Sequence, residues 1–299
     1  MQTINSATLT AVQRGFRVFY NDDYRRTVSV VDRFATIRDS TNAEEALIFA
    51  TSLPRMRKWL GERILNNFAA QESKVVNEPY ELSVKVRRED IEDDKVGIYE
   101  PQIRDLGRRG KMIFQDLATE ALLNSHLALG YDGQAITDTD HPVRPGDPGS
   151  PTQSNLFTTR PFNEANYSYV RTQMSMFLGE DGRPLGVRPN LLMVGPALEM
   201  EARRVLNATT LANGADNIMR GTSELIVVPD IVGTDWYMLD TTNAMKPILV
   251  SRRKEAEFVA LDSPDDENVF MRRLFYYGVD ARGAATYGPW FLMAKATAA

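Results

Sequence analysis

The chain has 299 residues, 43% of them apolar and 25% charged, with a formal net charge of −5. That length admits one large domain or two modest ones with a real core, and that charge excludes a surface built throughout to grip nucleic acid or anionic membrane. Cysteine is absent, which excludes disulfides and thiolate chemistry and is compatible with a reducing compartment.

The start, MQTINSATLTAVQRGF, has neither the basic head nor the apolar stretch of a secretory signal. No window approaches the roughly 18 apolar residues of a membrane helix, so a soluble protein is expected. Residues 1–40 are polar and weakly periodic. Phe16, Phe19 and Tyr20 recur at helical spacing, which predicts a short helix over 7–20. The rest reads as an N-terminal arm, either frayed or docked on a neighbour.

The segment RMRKWLGERILNNF, residues 55–68, carries Trp59, Leu60, Ile64, Leu65 and Phe68 around a glycine break. After a polar stretch, YELSVKVR (80–87) alternates strictly. Tyr80, Leu82, Val84 and Val86 fall on one side, and Glu81, Ser83, Lys85 and Arg87 on the other. Such a strand buries one face and wets the other. Two extended segments joined by a polar tip predict a protruding two-stranded loop over about 55–90. An isolated hairpin is marginal in water, so this one must lie against its own body or a neighbouring subunit.

Residues 101–129 hold the longest helical signal. Ile103, Leu106, Gly110, Ile113, Phe114, Leu117, Ala121 and Ala128 step along one face, with Pro101 at the start and Gly130 at the stop. At 1.5 Å per residue the helix is about 40 Å long, a spine for a flattened body. Residues 131–161 are dense in Gly, Pro, Asp and Ser and read as an irregular excursion between two lobes. A helix over 163–178, a strand NLLMVG, a helix opened by Pro196, and strands ELIVVPDI, TDWYMLD, PILVSR and EAEFVAL describe an α+β lobe to about residue 250. The end, from VFMRRLFYY to WFLMAKA, reads as strand, glycine-rich turn and strand.

Catalytic signatures are scarce. DTDHP, residues 138–142, could offer Asp138, Asp140 and His141 to a divalent cation, but the only other histidine is His126 in the spine, and the same residues make ordinary turns. GxSxG, GxGxxG and GxxxxGK[ST] patterns are absent. The acidic run EDIEDD (89–94) lacks the ligand spacing of a calcium loop; with Arg87, Arg88 and Lys95 beside it, it reads as salt bridges or a solvated face. Tyr276, Tyr277, Tyr287, Trp290 and Phe291 have too few cations nearby for a base-stacking platform, so core packing is expected.

LPRMRKWLGERILNNF, YELSVKVRREDIEDDKVGIYEP, LGYDGQAITDTDHP and YYGVDARGAATYGPWFLMAKA, in that order and spacing, resemble the major head subunit of Mu-like bacteriophages, within the tailed-phage major capsid superfamily. The resemblance implies an α+β protein of the Hong Kong 97-like capsid fold. It places the N-terminal arm at 1–40 and a peripheral domain at 41–134 and 251–299, with its spine helix at about 101–129 and extended loop at about 55–90. The axial domain falls at 135–250. It implies a non-enzymatic shell protein without cofactors that self-assembles, as hexamers and pentamers, into the icosahedral head enclosing phage DNA. DNA would be enclosed without sequence-specific binding, and no membrane is involved. Scaffold, portal and decoration proteins would be further partners, with assembly in the host cytoplasm and residence in the virion.

In such a shell the extended loop lies over an adjacent subunit, so the apolar face of residues 80–86 is expected to find its cover in trans, worth about 6 to 10 kcal/mol per contact before association costs. The expected subunit-interface residues are Trp59, Arg63, Tyr80, Leu82, Val84, Val86, Arg87, Arg88, Asp90, Glu92, Asp93 and Asp94. The competing readings are a metal-dependent hydrolase on Asp138, Asp140 and His141, and a minor virion protein of the same fold.

Overall fold

A computed structural model describes residues 6–50, 70–93, 95–210, 214–263 and 266–298. The N-terminal part runs α1 (Ser6–Arg26), α2 (Val31–Phe34), β1 (Ala35–Asp39), β2 (Glu44–Ala50), β3 (Ala70–Val76), β4 (Glu78–Arg87), α3 (Arg88–Glu92) and α4 (Glu100–Leu123). The middle adds β5 (His141–Pro142), β6 (Thr152–Gln153), β7 (Leu156–Phe157), α5 (Glu164–Ser175), β8 (Leu191–Val194), α6 (Glu199–Asn207), β9 (Glu224–Val227) and β10 (Trp236–Leu239). The chain closes with β11 (Ile248–Leu261), α7 (Glu267–Arg272), β12 (Leu274–Tyr287) and β13 (Met293–Ala296).

Two sheets organise these elements. A four-stranded sheet has the order β1-β11-β12-β4, and a five-stranded sheet has the order β7-β13-β10-β8-β9. The spine helix α4 joins them. Pro101 sits in its first turn, where the missing N–H costs nothing. Ile103 and Leu106 enter a core with Phe16, Tyr20, Phe275 and Tyr277 under the four-stranded sheet. A few turns on, Leu117, Ala118 and Leu122 enter a second core with Leu191, Tyr237, Leu239 and Ile248, which both sheets share. A third core, around Tyr167, Met174, Trp236 and Trp290, lies on the other side of the five-stranded sheet.

Several expectations are revised. The N-terminal helix is longer than 7–20, and within this chain it is no loose arm. Phe16 and Tyr20 are buried, the Tyr20 hydroxyl donates to the Ala256 carbonyl at 3.0 Å, and Asp23 pairs with Arg104 of the spine at 3.0 Å. The spine stops at Leu123 because residues Asn124–His126 tighten into a 3-10 turn. PILVSR and EAEFVAL are halves of one strand, β11, whose register shifts between Arg252 and Glu257. Gly278 and Gly283 make no turn either. β12 runs through Gly278 and Gly283 unbroken, and VFMR belongs to α7. A Cβ at Gly283 would stand 2.5 Å from the Ser251 carbonyl oxygen and 2.8 Å from the Phe114 ring. Glycine there permits close packing across the sheet.

The largest revision concerns the alternating strand. It pairs antiparallel with β12 from Glu78↔Gly283 to Arg87↔Leu274, so it is an edge of the four-stranded sheet and no part of a free hairpin. The separate two-stranded element is β2 with β3, paired from Glu44↔Val76 to Ala50↔Ala70 and, among the described residues, joined to no other strand.

Candidate assembly surface

The hairpin β2–β3 rises from a polar knot. The Ser40 hydroxyl donates to the Glu45 carboxylate at 2.8 Å, and the buried Asn77 side chain donates to Ser40 Oγ at 2.9 Å and to the Asn42 carbonyl at 3.0 Å. Arg282 of β12 donates to the Asn77 carbonyl at 3.2 Å. The Ser40 and Thr41 donors hold the Glu45 carboxyl below the usual carboxylate range. Val75 packs on Leu249 beside the knot, so the root is fixed to the sheet while the strands extend beyond it.

The apolar face of β4 is covered unevenly. Val86 is 0% exposed and lies with Ile91, Tyr99 and Phe275 in the core under α1 and α4. Val84 packs against the same core, and Tyr80 against the core shared by both sheets. Leu82, between them, is 43% exposed. With Gly110, Ile113, Val279 and Ala281 it lines a groove of 220 Å³ whose rim carries Glu81, Arg109 and Asp116. Burial raises the Asp116 carboxyl above its ordinary value, and the nearby Asp230 adds to the shift. The expectation that all four side chains lack shelter within the chain is therefore overturned for Val86, and in part for Val84 and Tyr80. Helices α1 and α4 already occupy that side of the sheet.

The charged residues after β4 pair locally. Arg88 and Glu92 approach to 2.9 Å, Lys95 and Asp93 to 3.0 Å, and Glu89 meets Arg273 at 3.1 Å. Asp90 accepts from the Tyr99 hydroxyl at 2.5 Å, and the Arg87 side chain is exposed. These contacts knit α3 to its own sheet. Trp59, Arg63 and Asp94 lie outside the described residues. Sequence inspection missed Ser40, Glu45 and Asn77, because isolated polar residues without periodicity carry no sign of a buried knot.

The DTDHP loop is built inward. His141 is buried, with Nδ1 2.6 Å from Asp132 and Nε2 3.2 Å from Asn155 Oδ1, and its ring stacks on Trp290 at 3.9 Å. The Asp138 carboxylate accepts from the N–H groups of Ala135 and Thr139 at 3.3 and 2.7 Å, while Asp140 is exposed. That geometry overturns the metal reading, since the three residues do not converge and both imidazole nitrogens are engaged by protein. Among the described residues no group of three His, Cys, Asp or Glu could hold a metal ion.

Asn155 ties this loop to the sheet. Its Nδ2 donates to the carbonyls of Ile136, Trp290 and Met293 at 2.7, 3.2 and 3.0 Å, and its Oδ1 accepts the Asp138 N–H at 2.8 Å. Asn155→Ala orphans several of these buried groups at once. A loss of about 3 to 5 kcal/mol in chemical denaturation is expected.

The chain matches the family model described as Mu-like prophage major head subunit gpT over residues 9–160, 153–231 and 230–299. It belongs to that family. The Mu-like prophage FluMu major head subunit of Haemophilus influenzae is 26% identical over 290 residues, covering 97% of this chain and 73% of the relative. Among solved structures, the procapsid of bacteriophage JBD30 is 26% identical with a TM-score of 0.62, covering 98% of this chain and 76% of that one. The JBD30 capsid decorated with minor capsid protein trimers is 26% identical with a TM-score of 0.54, covering 68% and 90%. The fold is the tailed-phage major capsid fold, Hong Kong 97-like, and this Mu-like head subunit is a major capsid protein of a phage head shell, a component of the virion.

Proposed function

We propose that this major head subunit builds its shell, as hexamers and pentamers, by laying the β2–β3 hairpin over the four-stranded sheet of a neighbouring copy. The single observation that carries the reading is a hairpin whose strands, among the described residues, pair only with each other and whose root is bonded to the body. An unsupported hairpin is marginal in water, and repetition around a closed shell makes modest individual contacts sufficient. Leu82, the exposed position of the β4 face between Tyr80 and Val84, and Arg87, Arg88, Asp90, Glu92 and Asp93 further along the chain form the receiving side in this reading. Trp59 and Arg63, between β2 and β3 in sequence, are assigned to the incoming side, and Asp94 is assigned with Asp93 to the receiving side.

The division into peripheral and axial parts follows the same reading, with α1 packed on the spine, β13 in the five-stranded sheet beside β10, and β2 and β3 as the strands of the hairpin. The subunit carries out no reaction of its own. A separate scaffold and a portal complete the assembly in the host cytoplasm, DNA fills the shell without sequence-specific contacts, and decoration proteins cap it, as minor capsid trimers do on the JBD30 capsid.

Replacing residues 44–76 by a short flexible linker tests the hairpin. The expected product is a folded monomer by circular dichroism and sedimentation that gives no particles in electron micrographs, where the intact chain does. Particles of normal size from the shortened chain would refute the proposal.

A further inference from the structure

β7 and β9 are the two edge strands of the five-stranded sheet. Beside β7, α5 and the residues after it leave a groove of 470 Å³ lined by Phe157, Arg160, Tyr169, Gln173, Met176 and Phe177. Large apolar groups stand open to water there, with Tyr169 39% and Met176 60% exposed. A contiguous apolar patch of this kind marks an interaction surface. The groove also holds one cation in a fixed position. The Arg160 guanidinium lies 4.0 Å from the centre of the Tyr169 ring, and its Nη1 donates to Asn166 Oδ1 at 3.3 Å. Its backbone is pinned, since the N–H donates to the Thr297 carbonyl at 2.7 Å and the carbonyl accepts from Trp236 Nε1 at 3.0 Å. The preceding Thr159 has φ 57°, a left-handed conformation that a β-branched residue resists. Such strain persists only where surrounding contacts hold it, and it clusters at functional sites. Among the described residues no carboxylate lines the groove or pairs with Arg160.

The opposite edge carries the complementary shape. α6 packs against β9, and its first turn presents Met200, 77% exposed, between Glu199 and Glu201. The two carboxylates meet Arg203 and Arg204, in exposed pairs that hold a side chain only weakly. α5 and α6 cover the same face of the sheet, since Tyr167 and Val170 share a core with Ala202, Val205 and Trp236. Groove and knob also lie at one level. Phe157 pairs with Ala296, Ala296 with Trp236, Trp236 with Val194, and Val194 with Val227. Arg160 follows Phe157 by three residues, and α6 opens five residues after Val194. A groove at one edge and a knob at the other, at equal height, is what a head-to-tail ring of like copies requires.

From this arrangement we infer that the groove between α5 and β7 receives the first turn of α6 from a second copy of this chain. The Met200 thioether lies against the Tyr169 and Phe157 rings, and the carboxylates of Glu199 and Glu201 turn to the Arg160 guanidinium. The contact is separate from the hairpin's. It uses no residue of the four-stranded sheet and joins one five-stranded lobe to the next. Its chemistry is selective on both counts. Methionine adapts its shape to an irregular groove and gains from sulfur–ring contact. A guanidinium already stacked on an aromatic ring loses little freedom when a carboxylate arrives.

Cysteine is absent from the chain, so an engineered pair reports without background. The test is oxidation of particles purified from cells expressing Met176→Cys/Met200→Cys, read on a denaturing, non-reducing gel. The expected result is a ladder of covalently joined copies that neither single variant gives. A faster monomer band, from a disulfide within one chain, would overturn the inference. So would dimers from a single variant, a product joined to another protein, or intact particles without a ladder. Charge reversal supplies the second arm. Arg160→Glu is expected to cut particle yield by about tenfold or more, with the subunit still folded by circular dichroism. Glu199→Lys and Glu201→Lys in the same chain are expected to restore it. Unchanged yield in Arg160→Glu, or a loss that both lysines leave in place, would overturn the assigned contact. Should the cysteine pair yield no particles, charge reversal decides alone; should Arg160→Glu fail to fold, the ladder does. Every variant keeps its hairpin, so a failure here leaves the hairpin's role standing.

Discussion

Val86→Asp is expected to abolish folding of the subunit, whereas Leu82→Asp is expected to leave a folded subunit that forms no shells. Both residues lie on one face of one strand, four positions apart, and the sequence pattern treats them alike. Their surroundings differ. Val86 is fully buried in the core that holds Phe275, Ile91 and Tyr99. Burying an unpaired charge there costs more than about 4 kcal/mol, against a total stability of about 5 to 15 kcal/mol for a domain. Leu82 stands at the lip of the groove with Ile113 and Val279, where an aspartate keeps its water. Within the monomer that change costs about 1 kcal/mol or less. Between copies it places a carboxylate where an apolar contact is proposed. Soluble yield, urea melts and electron micrographs separate the two outcomes. A Leu82→Asp subunit that assembles normally would remove the groove from the interface, and one that unfolds like Val86→Asp would show that the lip belongs to the core.

The same pair shows what sequence periodicity can carry. Alternation identified which side chains of residues 80–86 share a face, because the two-residue period is a local property. It carried no information on what covers that face, since α1 and α4 lie elsewhere in the chain. The spine was legible for the same local reason. Ile103, Leu106, Phe114 and Leu117 recur by threes and fours, and all are buried. Its end was not, because the turn at Asn124–His126 is secured by a long-range bond between the hydroxyls of Ser125 and Thr137 at 3.1 Å. The glycines of β12 misled because a sequence window cannot tell a glycine that bends the chain from one that admits a neighbour. His141 stood out as a rare residue in a turn-like string, which suggested a ligand. Its partners, Asp132, Asn155 and Trp290, come from three separate stretches and become a unit only after folding.

Gly107 offers the sharpest contrast between local propensity and packing. In an isolated helix, replacing glycine by alanine gains about 1 kcal/mol, and Gly107 lies in the middle of α4. A Cβ there would stand 2.4 Å from the Tyr20 carbonyl oxygen and 3.1 Å from the Tyr24 amide nitrogen. Those are backbone atoms of α1, which cannot swing aside as a side-chain tip can. The two helices touch backbone to backbone at this point, and Tyr20 is anchored by its hydroxyl to Ala256. Gly107→Ala is therefore expected to destabilise the subunit by about 1 to 3 kcal/mol, the range for overpacking. Gly107→Val should lift α1 from the spine, exposing Phe16 and Tyr20, with binding of an apolar dye and rapid trypsin cleavage after Arg14 and Arg17. Gly15 provides the control, since it lies in α1 with nothing within 4 Å of its added Cβ. Gly15→Ala should raise stability by about 0.5 to 1 kcal/mol. Urea midpoints of the two alanine variants are thus expected to move in opposite directions. If both rise, α1 does not bear on the spine at Gly107, and the N-terminal helix is free to serve as the detached arm that the sequence suggests.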